Sequence, residues 1–291
     1  MDFELTESML LLRDCAREFA EKRLKPCAQA WDEHEAIPEA VYKEGAALGF
    51  FGLLVPEEFG GLGVAPLAYA VAMEELARGS AAFQVCLSVH NSLVCAAIAK
   101  YGTAEQKKKY LPKLACGEWV GAYSLSEPGA GTDAGSLVTS AADAGDHFLV
   151  NGTKAWVTNG GFAHVFIVFA STNREAGSRG ITCLIVDKAT LGLTVGKKEK
   201  KMGLRASDTR ELVFQNANIP KSQLLGQIGE GFKIAMSLLD SGRIGIAAQA
   251  VGIGRAALEE AVSYAKERKQ FGKKLSEFQL TQAKIADMAT N

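Results

Sequence analysis

A chain of 291 residues with 48% apolar and 22% charged residues has room for about two globular domains and an ordinary folded composition. Its 32 basic and 33 acidic residues leave a net charge of −1, which gives no electrostatic reason to expect nucleic acid. Six cysteines without a CxxC pair and four scattered histidines without HExxH spacing imply neither a disulfide framework nor a metal site. No charged-then-apolar leader opens the chain. No apolar run approaches the ~18 residues of a membrane span, so a soluble intracellular protein with reduced, buried thiols is expected.

Residues 1–118 read as an N-terminal α-helical domain. Leu12, Cys15, Ala16, Phe19 and Ala20 share one apolar face, and Pro26 marks a stop near its end. Pro38 suits a first helical turn, Gly79 an end, and Gly102 the close of an apolar helix from Ala82 to Tyr101. Thr103 with Gln106 forms a capping box for the next helix. His90 lines a pocket or, as is more common, sits hydrogen-bonded in a core.

From 119 to 226 the pattern changes to strand. Val165–Phe169, Ile181–Val186 and Glu211–Phe214 are short, β-branched or aromatic, and bounded by turn residues. Asn151-Gly152, flanked by Phe148–Val150 and Ala155–Val157, predicts a tight hairpin. A middle antiparallel β domain follows from this pattern. After Gly229-Glu-Gly231, an Ala- and Leu-rich helical pattern opens residues 227–291, and Ser276 starts a second helix with Gln279 in place for a capping box. The fold class is therefore α+β and multidomain, ending in the start of a C-terminal helical bundle. Lys107–Lys109 and Lys197–Lys201 read as solvated faces, or as a grip on phosphates.

Two segments carry the chemistry. In Tyr123-Ser-Leu-Ser-Glu-Pro-Gly-Ala-Gly-Thr-Asp133, glycines allow close backbone approach and bare N–H groups suit phosphate oxygens. In Trp156-Val-Thr-Asn-Gly-Gly161, Thr158 joins Ser126 in offering a hydroxyl, which both donates and accepts and so serves a redox ring in either state. A dinucleotide-binding turn fits poorly: Gly129-Ala-Gly131-Thr-Asp-Ala-Gly135 has three residues where the fingerprint has two, and no helical pattern follows.

These segments resemble the acyl-CoA dehydrogenase family, and the likeness extends along the chain. Leu5-Thr6, Pro56-Glu-Glu-Phe-Gly-Gly61, Tyr101-Gly102-Thr103 with Gln106, Met202-Gly-Leu-Arg-Ala-Ser-Asp-Thr-Arg210, Asp240-Ser-Gly-Arg243 and Arg268-Lys-Gln-Phe-Gly272 fall in the family's order. The resemblance implies FAD-dependent α,β-dehydrogenation of a saturated acyl-CoA, with electrons passed to an electron-transferring flavoprotein. FAD would lie against Tyr123, Leu125, Ser126, Gly131 and Thr132 on one side and Trp156, Val157 and Thr158 on the other. Arg268, Gln270, Phe271, Phe278 and Gln279 would reach its adenine and pyrophosphate half from a neighbouring subunit of a homotetramer or dimer. Thr132, Asp240 and Arg243 would touch the substrate; Asp240 and Arg243 also stand three apart on a helix, where a plain ion pair competes. Leu93, Val94, Met236 and Leu239 are plausible walls for the acyl tail.

The resemblance also implies that the chain is C-terminally truncated. In some branches the catalytic glutamate precedes the arginine of Asp-x-x-Arg; here that residue is Gly242, so the base is expected beyond Asn291. Glu127 is expected to be scaffold. Two other readings are a related flavin oxidase, of acyl-CoA or nitroalkane type, and a catalytically silent binding or assembly subunit. The setting implied is a bacterial cytoplasm or, after loss of a transit peptide, a mitochondrial matrix.

Overall fold

The computed structural model describes residues 4–290. Thr6 caps α1 (Glu7–Phe19) by accepting from the Met9 N–H, and Ala16, Phe19 and Ala20 are buried as their spacing requires. Pro26 does not stop the chain. A π turn (Ala20–Leu24) and a 3₁₀ turn (Lys25–Cys27) carry it into α2 (Ala28–Glu33), because proline in the first positions of a turn forfeits no needed N–H. α3 (Glu39–Ala47) and α4 (Pro66–Gly79) follow, the latter ending at Gly79.

α5 (Ala81–Ser88), a π turn (Val89–Cys95) and α6 (Ala96–Tyr101) form one rod of 21 residues. Contrary to the run-length reading, it is long and apolar enough to cross a membrane, but 72% of its apolar window is buried inside this protein. It is a core helix. The Thr103–Gln106 capping box then starts α7 (Ala104–Ala115).

The strands are β1 (Gly121–Ser124), β2 (Ser140–Asp143), β3 (His147–Thr158), β4 (Val165–Ser171), β5 (Ile181–Asp187), β6 (Leu193–Lys198), β7 (Thr209–Pro220) and β8 (Leu224–Leu225). They form a sheet ordered β6-β7-β3-β2-β4-β5-β8, antiparallel except that β1 lies parallel on β4 and β2 touches β4 in parallel at one pair. Alternation along β4 explains its full burial: Val165, Ile167 and Phe169 face the helices, while Phe166, Val168 and Ala170 face the sheet's own core.

The expected hairpin at Asn151-Gly152 does not form. β3 runs through it with a bulge against β7, where an added Cβ at Gly152 would lie 2.7 Å from the Thr139 backbone. The turn falls earlier, between β2 and β3, at Gly145 with φ +93°. Cys15 and Cys27 are only half-buried and Cys116 is exposed, so the expectation of buried thiols holds for Cys86, Cys95 and Cys183 alone.

α8 (Gly231–Glu267) spans 37 residues and lies on α4 so closely that a Cβ at Gly252 would stand 2.4 Å from the Glu74 carbonyl oxygen. An ion-pair network fixes this crossing: Arg78 meets Glu21, Glu75 and Glu259, and Arg255 meets Glu74 and Glu75. Beyond it come a two-residue hairpin, β9 (Lys269–Gln270) with β10 (Lys273–Lys274), and α9 (Gln279–Thr290). The expected Ser276–Gln279 capping box is absent. Glu277 instead accepts from the Lys274 N–H at 2.7 Å, and Ser276 uses its carbonyl to hold Gln282.

Candidate active site

A cleft of about 510 Å³ opens where the loop after β1, the end of β3, the π turn at Val89–Cys95 and the first turns of α8 converge. Its lining brings together Tyr123, Leu125, Ser126, Gly131, Thr132, Trp156 and Thr158 from the two chemistry-bearing segments. Arg243, Leu93, Met236 and Leu239 complete the opposite wall.

The loop is held from behind. The Ser126 carbonyl accepts from Ala155 N–H at 2.9 Å, and Glu127 and Ala130 exchange backbone hydrogen bonds. Glu127 turns away from the cleft, where its carboxylate accepts from Val138 N–H at 2.7 Å, Thr139 N–H at 3.0 Å and the Lys154 ammonium at 2.8 Å. Burial alone would raise the Glu127 pKa; the Lys154 charge and these hydrogen bonds outweigh it and leave the carboxyl below its ordinary value. Burial likewise pulls the Lys154 ammonium down to about 8 despite the pull of Glu127. The scaffold role expected for Glu127 thus has a visible partner. Lys154 is missing from the sequence reading because only the fold joins strand residue 154 to loop residue 127.

A register shift between Lys154 and Val157 re-aims the end of β3. Trp156, at φ +60°, stands out into the cleft with 62% of its surface exposed, while Val157 stays in the sheet core with none. The Val157 side chain therefore lines no part of the site, and only its backbone is available there. Asn159, at φ +67° and fully buried, locks the segment by donating to the Cys86 and Gly121 carbonyls at 3.1 Å each. Asparagine tolerates that left-handed backbone.

The helical wall is only partly as expected. Leu93 projects into the cleft from the π turn, but Val94 is buried beneath β1. His90, about one turn earlier, is a core residue: its ring meets the Leu114 carbonyl and accepts from Gly121 N–H, each at 3.1 Å, and burial lowers its pKa to about 4. Gly242 packs towards Leu93, 3.0 Å from where its Cβ would stand. Arg243 reaches the cleft; Asp240 does not, and the two make the intrahelical ion pair that competed with substrate contact. Among the described residues, Asp133 is the one carboxylate in the lining, and it lies exposed at the rim.

Arg268, Gln270, Phe271, Phe278 and Gln279 are nowhere near this cleft. All but the half-buried Phe278 are exposed, Phe271 at 93%, and Arg268 lies about 37 Å along the helix from Arg243. A wider cleft of about 1100 Å³ beside α3 holds none of the expected site residues.

The residues fit a heteroaromatic redox cofactor. An added Cβ at Gly129 or Gly131 meets nothing within 4 Å, and neither glycine has a positive φ, so neither backbone strain nor packing requires glycine there. Open space for a closely approaching ligand does. Among the described residues, the Ser126, Thr132 and Thr158 hydroxyls have no hydrogen-bond partner in the protein, and the Tyr123 hydroxyl is buried without one.

Models of the acyl-CoA dehydrogenase N-terminal, middle and C-terminal domains match residues 6–118, 122–217 and 229–291. The bovine mitochondrial short-chain specific acyl-CoA dehydrogenase is 49% identical over 286 residues, covering 98% of this chain and 69% of the bovine protein. Butyryl-CoA dehydrogenase from Megasphaera elsdenii superimposes with a TM-score of 0.97 at 44% identity, covering 100% of this chain and 77% of that one. A chain from a structure of the electron transferring flavoprotein of Acidaminococcus fermentans gives 0.98 at 46%, covering 100% and 76%.

Proposed function

Because the chain belongs to the acyl-CoA dehydrogenase family, we propose that its cleft holds FAD beside a short-chain saturated acyl-CoA and removes hydrogen from the α and β carbons. The observation that carries this is the convergence of Ser126, Thr132, Thr158, Trp156 and Arg243 on one cleft, with their hydroxyls free of protein partners. FAD supplies the acceptor for the hydride, and an electron-transferring flavoprotein takes the electrons onward. Ser126 and Thr158 donate or accept as the redox state requires. Gly129 and Gly131 let backbone N–H groups approach phosphate, and Trp156 covers one side. Leu93, Met236 and Leu239 exclude water around the acyl chain, and the Arg243 guanidinium suits a phosphate of coenzyme A.

The residue that takes the α proton lies outside 4–290 on this reading. Glu127 is locked to Lys154, Gly242 has no side chain, and Asp133 is exposed. Asp133→Asn in the full-length protein should keep its rate of bleaching by butyryl-CoA, and a loss of about 10²-fold or more would make Asp133 the base. Arg268, Gln270, Phe271, Phe278 and Gln279 complete the adenine end in a second copy of the chain.

The direct test is anaerobic mixing of the full-length, flavin-loaded protein with a series of acyl-CoA thioesters. Fast bleaching by butyryl-CoA is expected, slowed about fivefold by Thr158→Ala, the share of one ~1 kcal/mol hydroxyl contact. A protein that cannot take up FAD ends the reading. Stoichiometric oxygen consumption in turnover moves it to the oxidase class.

A further inference from the structure

Lys154 has no part in the reaction as described, yet its side chain is fully buried directly behind the cleft. Its ammonium donates to the Leu125 carbonyl at 3.0 Å and to Glu127 Oε1 at 2.8 Å, the residues on either side of Ser126. The next residue, Ala155, holds the Ser126 carbonyl. Two consecutive residues of β3 therefore fix three consecutive residues of the loop. The Glu127 carboxylate also receives Val138 and Thr139 N–H, so entry and exit of the glycine loop meet at one buried ion pair. We propose that Lys154 is a positioning residue for the cofactor cleft, closing both ends of the glycine loop and neutralising Glu127 beneath it so that the Ser126 hydroxyl faces the cleft over an uncharged floor.

The inference rests on the FAD reading only for the identity of the ligand that feels this floor. Below about pH 8 the pair is neutral; above it Lys154 loses its proton and a net charge of −1 remains under a site for a ligand that is itself anionic. Glu127 is the charged group that bears on Lys154, through coulombic attraction and a hydrogen bond. FAD affinity should therefore fall on the order of tenfold as pH rises through this window.

The test uses the full-length protein, with FAD binding followed by flavin fluorescence between pH 6.5 and 9. The parent should lose affinity with a midpoint near 8. Lys154→Met should bind more weakly at pH 7 and show no transition. Glu127→Gln should move the midpoint to lower pH, because no carboxylate then holds the proton on Lys154. That shift also decides the matter if Lys154→Met does not fold. A second readout needs no flavin: amide hydrogen exchange of the apoprotein should show Lys154→Met, but not a surface lysine variant such as Lys108→Met, losing protection at Glu127, Ala130, Val138 and Thr139. Parent-like affinity profiles in both variants together with parent-like protection would overturn the positioning role. Lys154-dependent protection in a protein that binds no FAD at any pH would overturn the FAD reading and leave the positioning role standing.

Discussion

The family resemblance implies that residues 123–132 and 268–279 serve two halves of one cofactor, and the chain supports the two groups in opposite ways. The first loop rests on a buried ion pair, backbone bridges to β3 and a core on each face of the sheet. The second is a hairpin tip with Phe271 and Arg268 in solvent and no buried residue in the helix that follows. A polar site complete within one chain is braced from behind, since its unpaired groups must be held at fixed positions for a ligand. Ile244, Ile246, Val251 and Ile253 on the same long helix are likewise exposed.

The largest break in this contrast should come from the ion pair. Glu127→Leu strands the Lys154 ammonium in the protein interior and should destabilise the fold by about 3–5 kcal/mol. Urea unfolding of this variant beside the parent checks it, and a loss below about 1 kcal/mol would mean that the pair does not brace the loop.

Acid should find the same region next. The buried His90 ring is held neutral, with its pKa lowered to about 4 by burial, whereas in the unfolded chain it titrates at its ordinary value of about 6.5. Between those values the unfolded chain binds a proton that the folded one refuses. Stability is therefore full above about 6.5 and falls as pH drops towards 4, by about 3 kcal/mol from this residue. Denaturation midpoints across that range should slope accordingly, and His90→Gln should flatten the slope.

Gly131→Val separates ligand binding from folding. Its added side chain enters open space, so the apoprotein should melt at the parent's temperature, while FAD affinity falls by about 1–3 kcal/mol through overpacking of the ligand. A large drop in apoprotein melting temperature would show that the loop itself needs this glycine.

Much of this contrast is legible before any fold is known, and the gaps have physical causes. The Thr103 capping box and the strand at β4 follow from local chemistry and period, whereas the clamp formed by segments 123–132 and 156–158 is what the family resemblance implies. The Asn151-Gly152 hairpin fails because the same dipeptide that favours a two-residue turn also suits a bulge, and only the close approach of Thr139 decides between them. Val157 and Trp156 are adjacent in sequence, and a register shift of β3 against β7 at that point decides which of them faces the cleft. Lys154 is illegible for a related reason: a lysine in a strand reads as solvent-facing until its carboxylate partner is placed behind it.

The smallest expected effect in the single chain is the one that sharpens the comparison most. Arg268 is exposed, and its guanidinium has no partner among the described residues, so Arg268→Ala should change the stability of the apoprotein by no more than about 0.5 kcal/mol. In the assembled full-length protein the same substitution should weaken FAD binding by about 1.5–3 kcal/mol, the usual range for a hydrogen bond to a charged group, and make the remaining affinity less sensitive to salt. Mixing this variant with one defective in the clamp, such as Gly131→Val, supplies the decisive control. If the adenine end is completed by a second copy, mixed oligomers recover sites that pair an intact clamp with an intact Arg268, and FAD binding returns to a fraction of the subunits. Absence of any recovery on mixing, with subunit exchange verified, would place Arg268 and the clamp of one chain in the same site, and the braced and unbraced regions would then belong to a single subunit after all.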